Sequence, residues 1–107
     1  MDQQEVARST GPDGHVLETR THEGIDVTLD VTYARSWEGL AEAARMQSGD
    51  LSTGERFLAT IGYYGHVCPN IDDVVAALRA ARPGEEVTGS DVIQFVASAF
   101  REATPKN

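Results

Sequence analysis

His66 and Cys68 form the most reactive-looking pair in the chain, with Val67 between them. A zinc site needs three or four ligands, and the paired Cys-x-x-Cys or His-x-x-x-His spacing that would supply them is missing. A thiol nucleophile needs a base and an orienting group that only the fold could bring near it. We expect Cys68 to be a buried structural thiol, with a thiol- or metal-dependent enzyme or sensor as the alternative.

Asp26 and Asp30 share the polar face of a predicted strand with Thr28 and Thr32. Paired carboxylates can act as acid and base or bind a cation. A solvated sheet face explains the same alternation without a further assumption, so we expect these side chains in water. His15 and His22, which flank the predicted first strand, are also expected to lie in solvent. The sequence therefore predicts no catalytic, metal-binding or cofactor-binding residue and no cofactor.

Trp37, Tyr63 and Tyr64 are the candidate partner-binding residues, because amphipathic aromatic side chains supply much of the energy at protein interfaces. Trp37 leads an apolar helical stripe, which favours a core position for it. Tyr63 and Tyr64 follow one another in a predicted loop, where two consecutive side chains do not easily both point inward. These two tyrosines are therefore the first choice for a contact surface.

The elements that must position these residues begin with a hairpin. Residues 1–14 are polar and end in Gly-Pro-Asp-Gly, so we predict a flexible N-terminal arm. The stretch after it alternates apolar and polar residues with a period of two, which is typical of half-buried antiparallel strands. We predict a β-hairpin with strands at about 15–22 and 25–33. The apolar positions of its second strand are Ile25, Val27, Leu29 and Val31.

Four short helices are predicted to follow the hairpin. Ser36 can cap the first, and Ser52 with Glu55 forms a Ser-x-x-Glu capping box for the second, which is expected to end near Gly62. Residues 62–70, GYYGHVCPN, are predicted to form a loop that packs against the body of the protein.

The last two helices carry start signals of their own. Asn70 is expected to cap the third helix, which Pro83-Gly84 ends, and Thr88 or Ser90 the fourth. The fold class that results is α+β, with a β-hairpin packed on a bundle of about four short helices. We predict these core residues: Trp37, Leu40, Phe57, Leu58, Val74, Leu78, Val92 and Val96.

Length and charge indicate one acidic domain. The 107 residues suit a single core, placed at 15–103 with a frayed tail at 104–107, and 40% are hydrophobic. The formal charge of −8 opposes binding to nucleic-acid phosphates. Because neither a signal-peptide core nor a membrane-spanning stretch is visible, we expect a cytoplasmic protein without membrane contact.

The order of these elements resembles the small tail assembly chaperones of siphophages and prophages of Gram-positive bacteria. The resemblance covers about residues 25–103 and rests on apolar positions and turn glycines at matching places. It is carried by Trp37, Glu38 and Leu40 before a Ser-Gly-Asp turn, Phe57-Leu58-x-x-Ile61-Gly62, the helix Asp72–Arg82, and Gly84 and Val87 before the helix Asp91–Arg101.

The resemblance implies a non-enzymatic role in the bacterial cytoplasm. Members of this family bind the long tape measure protein, keep its apolar helices soluble, and leave as the major tail protein polymerises around it. The resemblance thus implies the tape measure protein as partner and the major tail protein as a second one. From the residues alone, a small acidic regulatory module that sequesters a basic partner is the alternative, and self-association through a strand edge stays open.

Overall fold

The computed structural model describes residues 6–103 and confirms the α+β class. A three-stranded antiparallel sheet at the N-terminal end is followed by five helices within the described residues. The elements are β1 Val6–Thr10, β2 Val16–His22, β3 Ile25–Asp30, α1 Val31–Arg35, α2 Trp37–Met46, α3 Thr53–Val67, α4 Ile71–Ala81 and α5 Gly89–Ala103.

The predicted hairpin is formed by β2 and β3. Glu23 and Gly24 connect the strands, and both have positive φ angles, 52° and 81°. Such a two-residue connection matches the right-handed twist of the flanking strands, which is why it closes tight hairpins. The second strand ends at Asp30 and not at residue 33, because the Asp30 side chain accepts a hydrogen bond from the Tyr33 backbone N–H at 2.8 Å and starts α1 there.

A third strand, β1, lies where the sequence predicts a flexible arm. Val6–Thr10 pairs antiparallel with β2, and the chain reverses between them through a hydrogen bond of 2.9 Å from Gly11 N–H to the His15 carbonyl oxygen. An edge strand with polar side chains gains its order from backbone hydrogen bonds to a neighbour, which composition does not reveal. Residues 1–5 of the predicted arm and the predicted tail at 104–107 lie outside the described residues.

The helix caps are largely as predicted. Ser36 caps α2, and Ser52 and Glu55 form both hydrogen bonds of the capping box that starts α3. Thr88 caps α5, where its hydroxyl accepts from the Asp91 N–H at 3.1 Å and its own N–H donates to the Asp91 carboxylate at 2.9 Å. These residues satisfy backbone N–H groups that a helix start would otherwise leave free.

Asn70 occupies the N-cap position of α4, as predicted, but its side chain makes no capping hydrogen bond there. Its side-chain oxygen accepts from the Thr28 N–H at 2.9 Å, and its side-chain nitrogen donates to the Asp26 carbonyl oxygen at 3.1 Å. The amide therefore binds the outer edge of β3 as a neighbouring strand would. This contact joins the sheet to the start of α4 and covers an edge that could otherwise pair with another chain.

Tyr63, Val67 and Cys68 join residues from β3, α4 and α5 in the core, which lies between the inner face of the sheet and α3, α4 and α5. Of the predicted core residues, half are confirmed and half are wrong. Those confirmed as buried are Val74, Leu78, Val92 and Val96. Those exposed instead are Trp37, Leu40, Phe57 and Leu58.

Candidate protein-interaction surface

Five large apolar side chains on α2 and α3 are exposed to solvent. Trp37 is 80% exposed and Leu58 69%, and the other three are between 49% and 58% exposed. Exposed apolar groups concentrated on one packed helix pair are typical of a site that binds another protein. We call this set the outer face; it consists of Trp37, Leu40, Phe57, Leu58 and Ile61.

The apolar stripe of α2 points outward because the helix packs through its opposite side. Gly39 is buried, and a Cβ atom at this position would lie 2.0 Å from the carbonyl oxygen of Tyr33. This approach of backbone to backbone fixes which side of α2 meets α1. Helical periodicity correctly groups Trp37 with Leu40, but it does not say whether a neighbouring element covers them, and the core prediction failed for that reason.

A polar network holds α2 in the same orientation. The Tyr33 hydroxyl donates to the Glu42 carboxylate, and His66 Nδ1 lies 3.2 Å from the same carboxylate oxygen. Burial alone would raise the pKa of Glu42, but the hydrogen bonds from Tyr33 and His66 outweigh it and hold that pKa below its ordinary value. Gly62 makes room for this carboxylate, since a Cβ there would lie 2.9 Å from Glu42 Oε2.

The predicted loop at 62–70 is mostly helix, because α3 continues to Val67. Successive residues of a helix point about 100° apart, so Tyr63 and Tyr64 take different directions. Tyr63 is 8% exposed and belongs to the core, so its side chain does not lie on the surface as expected. Tyr64 is half-buried and meets the Tyr63 ring edge to face at a centroid distance of 5.3 Å.

A groove of about 240 Å³ lies beside the outer face, between α3, α4 and α5. Phe57 and Ile61 belong to both surfaces. Asp72 is the one charged residue among those that line it. We call this feature the groove; its lining residues are Phe57, Ile61, Tyr64, Ile71, Asp72, Val75, Gly89, Val92 and Ile93.

Cys68 and His66 differ in burial and in hydrogen-bond partners. Cys68 is fully buried, its Sγ donates to the Asn70 side-chain oxygen at 3.2 Å, and burial raises the pKa of its thiol to about 11. The prediction of a buried thiol is confirmed. Since the thiolate is the nucleophilic form, this environment disfavours reaction at neutral pH. His66 is exposed and bound to Glu42 of α2.

Asp13, His15 and Asp30 form a second polar cluster, at the turn between β1 and β2. His15 Nδ1 lies 2.8 Å from Asp30 Oδ2 and 3.6 Å from Asp13 Oδ2, and the hydrogen bond to Asp30 raises the pKa of His15. Within the described residues this is the one group of three side chains close enough to hold a metal ion. Their contacts with each other, and the cap that Asp30 provides for α1, account for the arrangement.

Asp26 is exposed, as predicted for the polar face of the strand. The same prediction is wrong for Asp30, which is 8% exposed. His22 is also buried, contrary to the prediction, and its ring meets Phe95 of α5 at 4.7 Å. On the same side of the sheet, buried Glu18 forms ion pairs with Arg8 at 2.7 Å and Arg20 at 3.3 Å. The sequence does not reveal these buried polar residues, because β2 has few apolar side chains that would mark its buried face.

Neither a protein-family model, nor a curated protein, nor a solved structure matches this chain. Among the described residues, no helix is both long and apolar enough to cross a lipid bilayer. The outer face and the groove are therefore the features from which a function can be argued.

Proposed function

We propose that this protein is a non-enzymatic tail assembly chaperone, which binds the tape measure protein in the cytoplasm of a bacterial host and aids assembly of the tail tube. The proposal joins the resemblance described above to one observation of the structure, the outer face. A chaperone of extended apolar helices needs apolar groups that its own fold leaves accessible. Trp37, Leu40, Phe57, Leu58 and Ile61 meet that need.

The way α2 is held supports the proposal. Gly39, Glu42 and His66 fix α2 to α1 and α3 by close backbone contact and hydrogen bonds, so the apolar stripe is not needed for attachment. Exposed Trp and Phe side chains supply large contact area with few rotatable bonds, which favours binding. The overall charge of −8 adds attraction to a basic client and repulsion between copies of the chaperone.

Co-expression with the tape measure protein tests the proposal. We expect the protein to raise the soluble fraction of that client, and the double variant Trp37→Ser, Leu58→Ser to abolish most of the gain. Val16→Ser is the matched control, because Val16 is another exposed apolar residue, 39% exposed, but lies on β2. A client that remains equally insoluble with and without the protein would refute the chaperone role.

An acidic regulatory module that sequesters a basic partner is the second candidate, favoured by the charge of −8. The two functions differ in their response to salt. Screening shortens the reach of charge interactions to about 3 Å at 1 M salt, whereas apolar contact persists. Binding that survives 1 M salt and fails in the Trp37→Ser, Leu58→Ser variant would therefore support the chaperone and count against the regulator.

A further inference from the structure

The groove has the features of a socket for one large apolar side chain. Its lining is almost entirely apolar, and its volume of about 240 Å³ is below the roughly 300–1,000 Å³ that is usual for small-molecule pockets. Phe57 and Ile61 are 57% and 49% exposed, so the groove opens beside the outer face. A partner that covers the outer face can therefore reach into the groove with one side chain.

The walls of the groove indicate which backbone conformation the partner has. They come from α3, α4 and α5 and contain no strand. An extended peptide commonly pairs its backbone with a sheet edge, and the groove offers none. A helix satisfies its own backbone N–H and C=O groups and needs only apolar contact from its host. An amphipathic helix is therefore the partner that fits.

Charge at the groove adds a requirement on sequence. Asp72 lines the groove and is exposed in the first turn of α4, while no Lys or Arg is among the lining residues. A cationic side chain one turn away from the apolar anchor would lie next to this carboxylate, and an anionic one would meet repulsion. The groove thus complements a basic amphipathic helix.

We propose that the groove receives an apolar anchor residue from an amphipathic helix of a partner protein, and that Asp72 pairs with a Lys or Arg one turn from that anchor. The inference rests on the proposed function, in which the client supplies such a helix. Beyond the proposed function, particular residues of the groove make the contact, and the helix of the partner carries positive charge. A second copy of this chain is the weaker candidate, because both copies would carry Asp72 into the contact.

Two synthetic helical peptides test the charge requirement. Both carry leucines at i, i+3, i+4 and i+7, one with lysines and the other with glutamates in the flanking positions, and fluorescence anisotropy measures their affinity for the full chain. We expect the lysine peptide to bind at least about tenfold more tightly, since both the local carboxylate and the net acidic charge favour it. Equal affinities, or no binding of either peptide, would overturn the proposal.

A comparison of Asp72→Asn with Asp73→Asn separates an ion pair at the groove from the general attraction exerted by the acidic protein. Both aspartates are exposed in the first turn of α4 and carry the same charge, but Asp72 alone lines the groove. We expect Asp72→Asn to weaken the lysine peptide about threefold, as is usual for one exposed ion pair, and Asp73→Asn to change it less. Equal effects of the two variants would overturn the role of Asp72.

Gly89→Leu tests the groove by filling it. A Cβ at Gly89 would meet no atom within 4 Å, and Gly89 lines the groove at the start of α5. Gly54→Leu is the matched control, because Gly54 has the same free space near the start of α3 but is not among the lining residues. We expect only Gly89→Leu to weaken binding of the lysine peptide, by about tenfold or more, because the new side chain would occupy the space that the anchor residue needs. Unchanged binding would overturn the proposal.

The same variants distinguish failure of this inference from failure of the proposed function. If the protein retains the tape measure protein in solution while Gly89→Leu and Asp72→Asn have no effect on that retention, the chaperone role stands and the groove assignment fails. If the lysine peptide binds as expected but the tape measure protein is not retained, the groove assignment stands and the client is another protein. A dimer in sedimentation that Gly89→Leu dissociates would assign the groove to a second copy and overturn the proposal.

Discussion

The helix pair α2–α3 and the helix pair α4–α5 have similar apolar stripes in the sequence and opposite fates in the structure. On α4 and α5 the stripe is buried, with Val74 and Val96 at 0% and Leu78 at 1% exposure. On α2 and α3 it forms the outer face, with Trp37 at 80%. Amphipathicity therefore predicts that a helix has an apolar side, and packing decides whether that side is buried in the core or exposed to solvent.

The two pairs are also held by different forces. α4 and α5 contact the sheet through fully buried aliphatic side chains, whereas α2 packs through half-buried Ala43 and Met46, the close contact at Gly39 and the carboxylate of Glu42. Burial of apolar area is the larger source of stability, and close backbone contact with hydrogen bonds contributes less.

Leu78→Ala should give the largest loss of stability. Leu78 is 1% exposed, and truncating such a side chain costs about 2–5 kcal/mol through lost burial and the cavity left behind. Urea denaturation followed by circular dichroism measures the free energy of unfolding. A loss below about 1 kcal/mol, the average for point mutants, would mean that α4 does not carry the core.

Gly39→Ala should give the next largest loss, about 1–3 kcal/mol, because the added methyl group would lie against the Tyr33 carbonyl and force α1 and α2 apart. Gly54→Ala is the control: nothing lies within 4 Å of a Cβ there, so this change should be neutral or slightly stabilising in α3. Thermal unfolding of both variants measures the contrast. Equal melting temperatures would contradict attachment of α2 through Gly39.

Glu42→Gln should destabilise the protein by about 1 kcal/mol at pH 7 and by less at pH 3. The pKa of Glu42 is lowered in the fold, so its contribution is present above the unfolded pKa near 4.3 and is lost as pH falls through the folded value. As pH falls, the wild-type carboxylate takes up a proton and the difference shrinks. Urea denaturation at both pH values tests this, and a difference that stays constant would count against the network.

Trp37→Ala and Leu58→Ala should have the smallest effect on stability, within about 0.5 kcal/mol, because both side chains already contact water in the folded state. Urea denaturation provides the comparison with Leu78→Ala. A loss as large as that of Leu78→Ala would show that another part of the fold, or a second copy, covers the outer face.

Much of the fold could be predicted because its signals are local. The capping box of Ser52 and Glu55 and the hairpin connection between the strands predicted at about 15–22 and 25–33 depend on neighbouring residues, and the structure confirms both. The end of α3 was missed because Gly62 and Gly65 resemble loop residues, while packing against α2 keeps the helix intact to Val67. A glycine costs a helix only about 1 kcal/mol, which tertiary contact can offset.

The candidate site was less predictable than the fold. The helical stripe favours a core position for Trp37, which is exposed, and the predicted loop favours a surface position for Tyr63, which is buried. The groove brings together residues from three helices, from Phe57 to Ile93, that lie too far apart in sequence for any spacing to relate them. The sequence identifies Asp72 as a residue at a helix start, but it does not predict that Asp72 lines the groove.

The sequence by itself determined the α+β class, the hairpin, the helix starts and the acidic charge, because propensity, capping and periodicity act over a few neighbouring residues. Only the tertiary structure decided which apolar stripes are covered, since that depends on contacts between distant parts of the chain, such as His66 with Glu42 and Asn70 with the edge of β3. The outer face exists because α2 packs through its opposite side at Gly39 and Glu42 and α3 packs through Ala59, Tyr63 and Val67, which leaves the large apolar side chains on the other sides of both helices exposed.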